Sequence, residues 1–494
     1  MNVKRSLLII LTAISLYSVF FALTQSLTET QIQSRLELYQ TNLILNASEW
    51  QPSSDNQKSF TQNLLGNNPY LIAQEQYNNI LTEAESVKGS EKISNQEDKA
   101  IASETPRKQL KQEIQENQAF IEDLKIKLGI IYAYQENNDK AIAYWQEIND
   151  KSTAEILNSI WINNSDISVN KQEIIEKKLN GWFENITLSK LYAIENNLNK
   201  LEEINNKTQE LAEKAIKRLL LLSVIPVVGG LIGFGLIIFL IVQLALKKEE
   251  SILATNAGKT WDSPWDWEII GQVLIVGFFF LSQILLPILI GVSGFNPTDL
   301  DIKGKALYVL VTYLLMAGGG LSVLYLSIKS FFPLPTDWFK LTNKNWFWWG
   351  LGGYLTAIPL VFFVSLLNQQ IWQGKGGSNP LLMLALESQD KFALIIFFIT
   401  ASIAAPIFEE IIFRGFLLPS LTRYMSVGSA IVVSGIIFAI AHLSLAEALP
   451  LAVLGIILGI VYTRSGCLLA SIMVHSLWNS GTLFSLFLLG SKLS

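Results

Sequence analysis

Residues 392–421 read FALIIFFITASIAAPIFEEIIFRGFLLPSL, an apolar run interrupted only by Glu409, Glu410 and Arg414. A helix needs about 20 such residues to cross a bilayer, so this run is long enough to span. Two carboxylates and a guanidinium are costly to place in lipid, and charges kept in such a run point to a function by default. The chain has only two histidines, His442 and His475, and both fall in later apolar segments.

Working outward, half of the 494 residues are hydrophobic and 16% are charged, and the mean hydropathy is +0.34. These values point to a polytopic membrane protein, and the length calls for two or more units. The net charge of -5 is small, and no basic cluster marks a nucleic-acid partner. A single cysteine, Cys467, excludes an intrachain disulfide and a Cys-rich zinc framework.

In chain order, residues 1–24 carry Lys4-Arg5 before the apolar run Leu7 to Leu23. No small-x-small cleavage site follows, so an uncleaved membrane anchor is favoured over a signal peptide, with its N-terminus cytoplasmic. Residues 25–218 turn abruptly to Asn, Gln, Glu and Lys with helically spaced Leu, Ile and Tyr. They are expected to form a soluble, helical, extracytoplasmic domain that binds or positions a protein partner. Near residues 124–150, Leu128-Gly129, Tyr132, Ala141, Tyr144-Trp145 and Ile148 resemble one tetratricopeptide repeat (TPR), in which small residues let two helices approach. An ordinary amphipathic hairpin fits the same residues, and about three repeats are needed for a solenoid. Leu188, Leu191, Ile194, Leu198 and Leu201 continue as a short heptad-like stripe, expected to pack within the same domain.

Further spans are expected at 219–246, 269–292, 307–328 and 347–367 (spans 2–5), and at 392–418, 428–445, 449–462 and 468–489. With the anchor this makes an all-α, polytopic helical membrane protein of about nine spans, its last four within 392–489. If the spans alternate, Lys247, Lys248, Lys259, Lys329, Lys340, Lys344, Arg423 and Arg464 fall in cytoplasmic loops, as the positive-inside rule requires. Asp299, Asp301, Glu387 and Asp390 fall on the other side. Trp261, Trp265, Trp267, Trp346, Trp348 and Trp349 read as interfacial anchors.

Glu410 and Arg414 are at i,i+4, the spacing of a helical ion pair. Glu409 sits about 100° round the helix from that pair. It is left free, and a free carboxylate in a desolvated site suits general-base work. Phe438 and His442 repeat the i,i+4 spacing on the next span, and His475 and Asn479 on the last. Glu409 lies 16 residues before Met425 and His442 lies 17 after it. A hairpin would therefore place both on the order of 24 Å from that loop.

Glu409-Glu410-x-x-x-Arg414, Phe438-x-x-x-His442 and His475-x-x-x-Asn479, in this order, resemble the three motifs of the CPBP family of intramembrane proteases. That family includes the type II CAAX prenyl endopeptidases and bacterial Abi-like proteins of self-immunity or abortive infection. Arg414-Gly415-x-Leu417 matches the tail of its first motif. The resemblance implies an endopeptidase acting on membrane-associated or prenylated proteins. Glu409 and His442 would activate water, and His475 and Asn479 would stabilise the oxyanion. Glu410, Arg414 and Phe438 would give structural support. Glu409, His442 and His475 also have the donor types of a catalytic zinc site, so a divalent metal stands beside a metal-free glutamate mechanism. A catalytically silent scaffold or immunity protein that keeps the fold is the alternative. The implied location is a multi-pass protein of a bacterial or plastid type of membrane, with the lipid bilayer as its surroundings.

Overall fold

A computed structural model describes residues 3–27, 31–52, 54–97, 104–163, 171–388 and 390–491. Residues 28–30, at the expected boundary between anchor and outer domain, lie outside them, as do residues 1 and 2 of the anchor. The described residues are helices and connecting turns, with no strand. They form two compact units: Met1–Gln33 with Leu222–Ser491, and Ser34–Leu221.

The second unit begins with α2 (Gln33–Ser48), α3 (Asp55–Leu65) and α4 (Pro69–Glu97). There follow α5 (Glu104–Tyr134), α6 (Asn138–Gln146), α7 (Lys151–Asn158), α8 (Lys171–Lys178) and α9 (Gly181–Ile194). The first part of α10 (Leu198–Lys247) completes it. Its core holds Tyr77, Leu124, Ile130, Trp145, Trp182 and Phe183, all buried. Gly129 lets α5 and α6 touch, because a Cβ there would lie 2.1 Å from Trp145 Nε1. That indole N–H donates to Ile126 O at 3.2 Å.

The α5–α6 turn recurs sixty residues later between α9 and α10. Glu136 and Asn196 both adopt positive φ, 62° and 50°. Asn137 N donates to Tyr132 O at 2.9 Å, and Asn197 N donates to Tyr192 O at 3.0 Å. Lys140 Nζ lies 5.1 Å from the Tyr132 ring centroid, and Lys200 Nζ lies 5.3 Å from that of Tyr192. Among the described residues α7 and α8 lie between these two hairpins in the chain. The stripe from Leu188 to Leu201 is thus not one helix: it breaks at Asn196-Asn197, which favour turns, and Leu198 is 74% exposed.

In the first unit, eight helices are long and apolar enough to cross a membrane. They are α1 (Val3–Ser26), the later part of α10, α11 (Trp267–Val292), α12 (Ile302–Phe331), α13 (Trp346–Trp372), α15 (Lys391–Leu421), α17 (Leu445–Ser465) and α18 (Leu468–Gly490). The short α14 (Pro380–Glu387) precedes α15. The ninth expected span is the 14-residue α16 (Val427–Ile440), about 21 Å long and short of the roughly 30 Å hydrocarbon core. Its end at Ile440 moves His442 from the last turn of the expected span 428–445 into a turn in which Leu443 has φ 57°.

At one end of this bundle the loops interlock. Trp261 and Trp265 are 7% and 1% exposed, so they are packing residues and not the interfacial anchors expected. Trp265 Nε1 donates to Ser420 Oγ at 2.8 Å, and its ring meets Trp338 at 4.3 Å. Trp267 and Trp348, at 64% and 69% exposed, remain suited to an interface.

Two outcomes follow for the second unit. Gly129→Ala should lower its stability by about 1–3 kcal/mol through overpacking, read as an earlier urea transition of the full-length protein by tryptophan fluorescence. Asp150 caps α7 and accepts from Lys178 Nζ at 2.6 Å, and this contact holds its carboxyl below the usual range. A depressed carboxyl contributes above its unfolded pKa, about 4, and that contribution is lost on acidification. Asp150→Asn should therefore destabilise at pH 7, and in urea transitions at a series of pH values the deficit should shrink only gradually below about pH 4, as the pH approaches the depressed folded value.

Candidate active site

Arg414 is 0% exposed and pairs through Nη1 with Glu410 Oε1 at 2.7 Å. Its Nη2 donates to Gly455 O at 2.9 Å, tying α15 to α17. That carbonyl is within reach because α16 and α17 touch at two glycines, where a Cβ on Gly455 would lie 2.8 Å from Gly435 Cα. The guanidinium carbon also lies 4.5 Å from the Phe438 ring centroid. The i,i+4 pair expected from sequence is present, although residues Ile411–Leu417 wind as a π-helix.

Glu410 does more than brace Arg414. Its Oε1 also lies 3.0 Å from His475 Nδ1 on α18. A carboxylate can only accept, so Nδ1 carries the proton and Nε2 faces Glu409 Oε2 at 3.9 Å. Glu409 Oε1 accepts from the Tyr313 hydroxyl of α12 at 3.1 Å, while its buried Oε2 has no hydrogen-bond partner. His442 Nδ1 lies 2.9 Å from Phe438 O. By the same rule that nitrogen is protonated, leaving the Nε2 lone pair open. Asn479 Nδ2 donates to Ala401 O at 2.8 Å, which uses one of its two amide protons. The Phe438 ring packs edge-on to both histidines, with centroids at 4.8 and 5.5 Å.

Glu409, His442, His475 and Asn479 all line one cavity of about 790 Å³ in the membrane unit. Glu410, Arg414 and Phe438 lie behind its wall. Residues 391–481 match the family model for Type II CAAX prenyl endopeptidase Rce1-like proteins. This stretch is an Rce1-like domain.

The chain is also similar over longer stretches to two bacterial proteins. The chain is 25% identical over 224 residues to the Bacillus subtilis (strain 168) protein named "Putative membrane peptidase YdiL", covering 43% of this chain and 86% of that protein. It is 26% identical over 215 residues to the Staphylococcus aureus (strain USA300) protein named "Membrane-embedded CAAX protease MroQ", covering 42% and 85%. No solved structure matches the chain.

Two lining residues of the cavity escaped the sequence reading. Tyr313 lies outside the Rce1-like domain in an otherwise apolar span, where one tyrosine carries little signal. Glu447, on the first turn of α17, accepts from Asn379 N at 2.8 Å. The charge-in-lipid argument that singled out Glu409 applies to it too, but the expected spans left it in a loop. The donor types of a zinc site do not assemble into one: among the described residues no three His, Cys, Asp or Glu side chains group to hold a metal ion. Glu409, His442 and His475 thus do not form the ligand set allowed by the sequence, and no step below passes through a metal.

Removing Arg414 leaves Glu410 buried without its counter-charge, a loss of about 3–5 kcal/mol. Arg414→Met should sharply lower the thermal midpoint in detergent, and adding Glu410→Gln should recover part of the loss, since the stranded charge is then gone.

Proposed function

We propose that the protein is an intramembrane endopeptidase that hydrolyses peptide bonds of membrane-associated polypeptides without an obligatory metal. The observation that carries this reading is the convergence of Glu409, His442, His475 and Asn479 on one cavity. Family-level similarity supports the reaction class.

Water held between Glu409 and His442 gives up a proton to them as its oxygen attacks the carbonyl carbon of the scissile bond. Glu409 Oε2 and His442 Nε2 are the open acceptors for that proton, and such transfer contributes 10²–10⁴-fold. The tetrahedral oxyanion is met by the second Asn479 amide proton, with His475 beside it held through Nδ1 by Glu410. Preorganised donors of this kind act strongly where water is scarce. The proton then passes to the departing amine as the C–N bond breaks. Tyr313 fixes the Glu409 carboxylate, and Glu410 with Arg414 keeps His475 in place.

The charge asymmetry of the loops supports an N-terminus in the cytoplasm and residues 25–218 on the extracytoplasmic face. The recurrence of one helical turn at Glu136 and Asn196 supports a repeat-like helical unit, and we assign that unit to binding a protein partner or substrate.

With the protein purified into liposomes and offered transmembrane peptides, Glu409→Gln and His442→Ala should each cut cleavage at least about 100-fold with thermal midpoints kept. Tyr313→Phe, which removes one bond to a charged group, should cost about tenfold. Activity should persist after chelation once metal loss is verified by elemental analysis. Equal cleavage by wild type and both catalytic-site variants would sink the proposal.

A further inference from the structure

We propose that the active-site cavity opens on the extracytoplasmic face, so that the substrate is a polypeptide already delivered to that face and not a cytoplasmic prenylated tail. The proposal relies on the proteolytic reading for its chemistry but not for its geometry.

The two ends of the membrane unit are built differently. One end gathers the end of α1, the loop after α13 and the start of α17. Leu445 N donates to Ser26 Oγ at 3.4 Å, Ala446 N donates to Gly376 O at 3.1 Å, and Gln31 N donates to Gly374 O at 2.8 Å. The start of α12 joins them through the Lys303–Asp390 ion pair at 3.4 Å. From the Glu409–His475 pair, the cavity wall runs to this end through Gln369, Ser378, Asn379 and Gln31. The loop over it is Gly374-Lys375-Gly376-Gly377, and all three of its glycines have positive φ.

The other end is closed. Trp261 N donates to Thr422 Oγ1 at 3.2 Å, and Arg423 Nη1 donates to Trp265 O at 2.6 Å. Asn343 Nδ2 donates to Ser465 O at 2.7 Å, and Leu468 N donates to Lys340 O at 2.8 Å. These bonds tie four loops together around the buried Trp265, and none of the four contributes a residue to the cavity wall.

Charge decides which face is which. The closed end carries Lys247, Lys248, Lys259, Lys329, Lys340, Lys344, Arg423 and Arg464, whereas the mouth end carries Lys303, Lys305, Lys375 and Lys391 beside Asp299, Asp301, Glu387 and Asp390. Short loops rich in Lys and Arg stay in the cytoplasm, so the mouth faces away from it. The wall is also suited to a peptide. Amide and hydroxyl side chains line its outer part, and Asn368 Oδ1, buried and without a hydrogen-bond partner, is an acceptor for a substrate N–H.

The test uses full-length protein in bacterial spheroplasts, with Cys467→Ser as parent and single Lys375→Cys or Lys344→Cys substitutions at exposed positions. A membrane-impermeant maleimide should label Lys375→Cys at least tenfold faster than Lys344→Cys before permeabilisation. Equal rates, or faster labelling of Lys344→Cys, overturn the orientation. In a second arm, a maleimide-polyethylene glycol placed on Lys375→Cys from outside should lower peptide cleavage at least tenfold, and undiminished cleavage overturns the position of the mouth. If the unlabelled protein cleaves nothing, the proteolytic reading falls, while the labelling pattern still decides the orientation by itself.

Discussion

Arg414 is the side chain on which the membrane unit turns. A fully buried guanidinium needs acceptors and a counter-charge, and the two terminal nitrogens of Arg414 find theirs on different helices while its buried Nε has no hydrogen-bond partner. Glu410 supplies the charge, Gly455 the carbonyl and Phe438 the aromatic face. Each also fixes something else: Glu410 orients His475, and Phe438 packs on both histidines. Gly435 and Gly455 are required because any Cβ between α16 and α17 would push the Gly455 carbonyl out of reach. The arrangement that holds the helices together thus also fixes His475 beside the open oxygen of Glu409.

Local spacing made part of this legible. The i,i+4 rule separates Glu410 from Glu409, and the scarcity of histidine draws attention to His442 and His475. Spacing cannot report what one helix offers another. The Glu410–His475 contact and the Tyr313–Glu409 bond join residues 65 and 96 positions apart. Hydropathy also overran the helix ends: Ala441 and Leu443 look as membrane-like as Ile440, so the turn that carries His442 was read as span. Trp261 and Trp265 misled for a related reason, since a tryptophan near a span end is equally at home at an interface or in a packed loop.

In the second unit the legible signal was the small residue at the helix crossing. Gly129 under Trp145 is the contact that the spacing suggested. The recurrence of the same turn at Asn196 was hidden because its flanking residues differ, Gly129 being matched by Ser189 and Ala141 by Leu201. What the two hairpins share is backbone conformation and a lysine laid on a tyrosine, features that become plain only in three dimensions.

The tryptophan layer has a consequence for the energetics of the whole cell. A vestibule that admits water to the depth of Glu409 thins the insulating part of the bilayer to little more than the 14 residues of α16. Protons and ions would cross such a thin septum readily if a file of water bridged it. Trp261, Trp265 and Trp338 belong to one apolar cluster at the closed end, with Trp265 and Trp338 edge to face at 4.3 Å. Ring packing of that kind would keep a water-filled site on one face from joining the other and so would spare the ion gradients that the membrane exists to maintain.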